Sequence, residues 1–260
     1  MSVTSSGAGA RLDIGKVVSE TFGVMQRNLR LFGLSGLLLI ALPGLVNGLL
    51  RIAIRSATAL SVASILLSIV ALVLTLSFQG AVFYATDRDL NSESAELNDC
   101  LRAGIRSALP LFGLALLVFI PAYLGMLLLI VPGVLLFLRW SVAGPVLAIE
   151  NLGILKSMGR SAALTKGRRG AIFLLYLVIA IVAVVLELTV VQMLGGFSGL
   201  AAFATTTAVT PVILALIVIV GPILGIVFGA LAAALSATLF YQLRLTREGA
   251  PFDTVSEVFA

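Results

Sequence analysis

Two ionisable residues stand where charge is costly. Arg139 and Glu187 each interrupt a long apolar run. An ionisable group at membrane depth is a functional-site hypothesis by default: it marks an ion or substrate path, a proton relay or a structural pair. Arg139 lies six residues past the turn signal Val131-Pro132-Gly133, ~9 Å down at 1.5 Å per residue. Glu187 lies 17 residues past Gly170, ~25 Å from the opposite face. Both are therefore expected in the outer half of a bilayer, on consecutive spans, as an intramembrane pair. The plainer reading is a structural ion pair, or an Arg139 that snorkels outward. The other is a substrate or proton site.

The next candidate is a juxtamembrane basic cluster, Lys156, Arg160, Lys166, Arg168 and Arg169. Clusters of four to eight such residues attract anionic headgroups at about 1 kcal/mol each. The alternative is a topology signal, and one cluster can serve both ends. Glu150 closes an apolar run beside it, placed to cap the following helix or to pair with Arg160 or Lys166. Beyond these the chemistry is sparse. The chain has no histidine, which removes the commonest general base and a common metal ligand. Cys100 is the one cysteine, so there is no intrachain disulfide and no thiolate zinc site. No Ser/His/Asp set, phosphate-cradling glycine loop or metal-ligand spacing is present. No cofactor and no metal are expected.

The elements that must position these residues follow from composition. The 260 residues are 60% hydrophobic and 11% charged, against about 25% charged in a soluble domain. Lipid is the solvent for most side chains. In lipid every backbone group must be satisfied internally, and long continuous apolar runs choose helices over alternating barrel strands. Six runs approach the ~20 residues a bilayer needs: Leu31 to Leu50, Ser61 to Tyr84, Leu111 to Ile130, Val134 to Ile149, Ala171 to Leu194 and Val212 to Tyr241. A kink is expected in the last near Gly221-Pro222.

Three polar stretches have helical periodicity and precede alternate spans. Arg11 to Arg30 gathers Leu12, Val17, Val18, Phe22 and Met25 on one face, with Asp13 as N-cap and Leu12–Val17 as a hydrophobic staple. Leu97 to Ala108 gathers Leu97, Cys100, Leu101 and Ile105. Gly153 to Thr165 is expected to turn Leu155, Met158 and Ala162 inward and to end at Lys166-Gly167, a cation followed by a C-cap glycine. Each reads as an interfacial helix. Residues 1–10 read as a disordered N-terminus, 11–249 as a single six-span membrane domain, and 250–260 as a polar C-terminal tail. The uncharged Gly195–Thr210 stretch reads as a loop that dips toward the membrane. Leu31-Phe32-Gly33-Leu34 recurs as Leu111-Phe112-Gly113-Leu114, a short internal echo.

Orientation follows from the cations. With six spans, one side holds nearly all the Lys and Arg and the other only Arg51 and Arg55. The positive-inside rule makes that first side, with both termini, cytoplasmic. Tyr84, Tyr176 and Tyr241 then mark the cytoplasmic span ends as an aromatic belt. Gly221, Gly225 and Gly229 recur every four residues and offer a small face for helix packing, continued by Ala233 and Ala237, with Gly44 and Gly48 as a weaker second face. The net charge of +5 belongs with orientation and anionic lipid. No basic patch interleaved with aromatics is present, and no nucleic-acid partner is expected.

Pro132-Gly133, Leu138-Arg139, Pro145, Glu150, Arg160-Ser161, Leu164 to Arg169, Tyr241 to Arg244 and Arg247-Glu248-Gly249 together resemble the membrane domain fused to some bacterial glycerophosphoryl diester phosphodiesterases. The resemblance runs from Leu12 to Gly249 and implies a stand-alone six-span relative without assigned activity, in a bacterial inner membrane. It does not imply the phosphodiesterase. That catalytic part is a separate barrel using histidines and metal-binding carboxylates, for which this chain has neither residues nor room.

The reading is an all-α polytopic membrane protein: six transmembrane helices in three hairpins, each preceded by a cytoplasmic interfacial amphipathic helix. The expected function is a non-catalytic inner-membrane module that engages anionic lipid or a protein partner at its cytoplasmic face. The alternative is a small transporter or channel using the Arg139–Glu187 pair. A lipid-modifying enzyme comes third, because no nucleophile–base pair is visible.

Overall fold

The computed structural model describes residues 13–46, 57–193 and 211–248, all in helices and short connections. In chain order the helices are α1 (Ile14–Arg27), α2 (Leu29–Gly36, followed by a π-helical turn at Leu37–Ala41), α3 (Ala57–Leu90), α4 (Leu97–Leu128), α5 (Ile130–Arg139), α6 (Ala143–Glu150), α7 (Ile154–Thr165), α8 (Arg169–Met193) and α9 (Pro211–Glu248). Among the described residues six helical stretches are long and apolar enough to cross a membrane: Leu29–Val46, Ile65–Leu90, Leu97–Leu128, Ile130–Glu150, Arg169–Leu186 and Val220–Glu248. Large apolar side chains face outward over much of the bundle. Leu128 is 81% exposed and Ile130 75%, an arrangement suited to lipid on that side and not to water. The N-terminal stretch, Leu12, Arg51, Arg55, Gly48, the 194–210 loop and the C-terminal tail lie outside the described residues, as does the Glu187 side chain.

The direction of the spans is set by a layer of polar contacts. Arg27, before the first span, bonds Asp89, at the end of the second, at 2.5 Å. Glu150, at the end of the fourth, and Glu248, at the end of the sixth, both bond Arg160 of α7. Glu20 of α1 accepts from Gln242 of α9 at 2.6 Å. The start of span one and the ends of spans two, four and six therefore meet in one layer, the charged end, and successive spans alternate in direction. Leu129 alone separates α4 from α5, and the two pack together at Gly133. The other two connections at the far end are not among the described residues.

Local chemistry accounts for much of this. The Asp13 carboxylate caps α1, accepting from the Lys16 amide at 3.1 Å as its position before the helix requires. α7 ends at Thr165 with Lys166 as its C-cap, and Gly167 takes φ +80°, the left-handed conformation a C-terminal glycine supplies. Other expectations are corrected. The second amphipathic stretch is no separate helix: Leu97 to Ala108 forms the first turns of the 32-residue α4, which passes Pro110 without ending. The far-end turn falls at Leu129, extended at φ −155° and ψ 130°, and not at residues 131–133. Pro132 instead sits in the first turn of α5, where its missing N–H costs no helical bond.

Gly133 leaves room for the neighbouring helix. A Cβ there would strike Met126 and come within 2.8 Å of the Ala122 carbonyl. The tightest crossing is α3 on α4. A Cβ on Gly80 would meet Ser107 and lie 3.1 Å from Gly104 Cα, and one on Gly104 would meet the Ser77 carbonyl. Small residues at a membrane crossing let backbones approach this closely. The expected small face of α9 is only partly used. Ala230, Ala233, Ala234 and Ala237 are buried, and a Cβ on Gly229 would touch Phe78 at 3.4 Å. Gly225 faces Ile40 more loosely, and nothing lies within 4 Å of a Cβ on Gly221. Pro222 lies inside the continuous α9.

Candidate functional site

The fourth span is not one helix. α5 stops at Arg139, Trp140 to Val142 form a turn, and α6 restarts at Ala143. A break inside a span frees carbonyls that lipid cannot satisfy, so it persists only where protein or a water-lined cavity replaces the helical bonds. Here hydroxyls do so. Ser161 and Thr165 of α7 donate to the Arg139 carbonyl at 3.1 and 3.2 Å. Ser236 of α9 donates to the Ser141 carbonyl at 3.1 Å. Tyr176 of α8 is half-buried and packs edge-on against Phe137, ring centroids 5.8 Å apart.

This arrangement corrects part of the inward face expected for α7: Met158 packs against the core half-buried, but Leu155 does not. Leu155 is 74% exposed, and the buried positions are Ser157, Ser161, Leu164 and Thr165. A stripe of small hydroxyl residues at four-residue spacing can be buried because each hydroxyl has a carbonyl to meet: Ser157 returns to Gly153 in its own helix, at 2.8 Å, and the other two reach α5. The stripe Ser157, Ser161, Thr165 was visible in the sequence and was the signal that could have identified it.

The same contacts correct the depth assigned to Arg139. Its carbonyl touches α7, whose Arg160 belongs to the charged end. Glu187 lies 17 residues along α8 from Gly170, which places its backbone ~25 Å away from that end. The two backbones are not level, and the Glu187 side chain lies outside the described residues, so no contact between Arg139 and Glu187 is described. The sequence estimate counted one straight helix from a turn at 131–133. The chain turns earlier and breaks at Trp140.

Beside the break lies a cavity of about 460 Å³ between α3, α4, α6 and α9. Its wall is largely apolar, with Gln79, Trp140, Ser141 and Ser236 among the few polar groups. A second groove of about 330 Å³, wholly apolar, runs between α1, α8 and α9.

The five expected headgroup residues divide. Arg160 is held by two carboxylates, Glu150 at 3.2 Å and Glu248 at 2.5 Å. Its donation to Glu248 and then to Glu150 raises its pKa above the ordinary arginine value. Arg168 donates to the Thr246 hydroxyl, and burial, followed by the nearby charge of Arg247, lowers its pKa. Arg247 in turn donates to the Lys166 carbonyl. Arg160 and Arg168 therefore tie α7 and the start of α8 to the end of α9. Arg169 is half-buried, and its Nε has no hydrogen-bond partner among the described residues. Lys156 and Lys166 are exposed and form no ion pair among the described residues. No protein-family model, curated protein or solved structure matches the chain.

Proposed function

We propose that this protein is a non-catalytic membrane module that engages anionic lipid, or a protein partner, at its charged end, and that this end is cytoplasmic in a bacterial inner membrane. The observation that carries the reading is the gathering of cations from separate segments into one layer, with the Lys156 and Lys166 ammonium groups exposed there. Arg160 and Arg168 serve as struts for that surface. Lys156, Lys166 and Arg169 are the residues assigned to headgroup contact, each worth about 1 kcal/mol at an anionic surface. Replacing those three with Gln should reduce copurification of anionic phospholipid while the melting temperature in detergent holds. Unchanged lipid recovery would leave the cations as a topology signal. Orientation has its own test. In a Cys100→Ser background, a cysteine placed in the 195–210 loop should react with an impermeant thiol reagent in whole cells, and one at Ser256 should not.

A second reading, a small transporter or channel, is supported by the broken fourth span beside the 460 Å³ cavity, since discontinuous helices frame the sites of many transporters. It requires water in the cavity. A cysteine at Gln79 or Ser236 that no water-soluble thiol reagent reaches from either side would remove it.

A further inference from the structure

Two cavities follow one another along α3, α4 and α6. The one at the charged end has a volume of about 420 Å³ and is lined by Tyr84, Asp87, Asp99, Arg102, Arg106 and Asn151 among others. Arg88 also lines it, but that cation is committed: it pairs with Glu93 and lies over the Tyr84 ring, 5.5 Å from its centre. Arg102 and Arg106 form no ion pair among the described residues, and neither do Asp87 and Asp99. The Asn91 side chain donates to the Asp87 main-chain carbonyl at 2.8 Å. Asp99, Arg102 and Arg106 fall on one face of α4 by helical spacing, yet the opposite charges do not close on each other.

The larger cavity begins about one turn deeper on the same helices. Phe83 precedes Tyr84, Leu111 follows Ser107 by four residues, and Gly144 precedes Ala148 by four. Its wall is mostly apolar, and Phe119 and Leu116 carry it to the exposed outer surface. Taken together as one cleft, the two cavities are polar at the charged end and apolar toward the membrane interior.

We propose that this cleft binds a phospholipid whose headgroup has both a phosphate and a primary ammonium, with the phosphate on Arg102 and Arg106, the ammonium against Asp87 and Asp99, and an acyl chain toward the deeper cavity. A lone anion would face two carboxylates, and a lone cation two guanidinium groups. A zwitterion satisfies both sets with charge-assisted hydrogen bonds. A primary ammonium donates three hydrogen bonds, whereas a quaternary one has none to give, so phosphoethanolamine fits this lining better than phosphocholine. The site is distinct from the Lys156–Lys166–Arg169 surface and differs in lipid class.

The test is native mass spectrometry of the full chain released from detergent containing equal amounts of phosphatidylethanolamine, phosphatidylcholine and phosphatidylglycerol. Phosphatidylethanolamine should be retained over both others. The Arg102→Gln/Arg106→Gln variant should lower its retention by about tenfold, as loss of charge-assisted bonds to phosphate implies. Asp87→Asn/Asp99→Asn should abolish the preference over phosphatidylglycerol. Arg102→Lys/Arg106→Lys should keep much of the binding and shows that the cleft still folds. The Lys156/Lys166/Arg169 Gln variant should leave the preference intact, which separates this site from the proposed anionic surface. Equal retention of the three lipids, or unchanged retention in the Arg102→Gln/Arg106→Gln variant, would overturn the assignment and reduce these groups to solvated surface charges. Displacement by soluble phosphoethanolamine at concentrations matching the lipid would overturn the role of the acyl chain.

Discussion

The Thr165 hydroxyl shares its one proton between two main-chain carbonyls, that of Arg139, 26 residues earlier, at 3.2 Å and that of Ser161 at 3.0 Å. With Ser161, which reaches the same Arg139 oxygen, it fixes the end of α5 against α7 and makes a break in the fourth span tolerable.

A buried carbonyl left without a donor costs about 1–3 kcal/mol. The Ser161→Ala/Thr165→Val variant should lose stability on that scale in detergent thermal unfolding. Ser157→Ala should lose less, because Ser157 bonds only the Gly153 carbonyl of its own helix. Equal losses would mean that the hydroxyls act as small packing residues and not as donors to α5.

Gly104 makes the sharpest packing test. A Cβ there meets backbone, the Ser77 carbonyl and the Ala81 amide at 3.1 Å, which cannot rotate aside as a side chain can. Gly104→Val should cost ~1–3 kcal/mol or more by overpacking. Gly221→Ala, with nothing within 4 Å of its added Cβ, should cost nothing measurable. Parallel melting curves of the two variants decide whether the α3–α4 crossing or the α9 glycine series holds the bundle.

Much of the fold was legible because lipid simplifies the code. Long apolar runs have one good solution, a helix, and cations collect at one side, so the six candidate spans, the Asp13 cap and the Gly167 terminus could be read directly. Positions that depended on tertiary partners could not. Leu155 looked inward by hydrophobicity, yet the serines of α7 are buried because α5 offers them a carbonyl. Pro132-Gly133 looked like a turn, but a proline fits equally well in a helix's first turn. The depth of Arg139 required knowing that its span breaks. The α4 cleft needs α3 and α6 beside Asp99, Arg102 and Arg106, a juxtaposition that spacing within α4 does not show.

The Arg160 node should show a graded response. Its two partners differ in burial: the Glu150 side chain is 15% exposed and that of Glu248 39%. Arg160→Met leaves the more buried carboxylate without its partner and should cost ~1–3 kcal/mol. Glu248→Gln removes a partly solvated contact and should cost below ~1 kcal/mol. Chemical or thermal unfolding of the two variants should keep that order, and the reverse order would place the strain at the α9 end.

The final prediction concerns Arg139 and Glu187. Had they met, each single Leu variant would strand the other charge, and the double variant would recover much of the loss. The Arg139 carbonyl lies on α7 near the charged end and Tyr176 of α8 packs on Phe137, while Glu187 is 11 residues beyond Tyr176, ~16 Å by helical rise. Sites that far apart with no shared partner add within about 0.5 kcal/mol. Arg139→Leu and Glu187→Leu should therefore combine additively in a double-mutant cycle measured by unfolding in detergent. Arg139→Leu alone should be mild, since its side chain is exposed and the contact that matters is made by its backbone. A coupling energy well above 0.5 kcal/mol would support the pair and require Glu187 to approach the break far more closely than this arrangement allows.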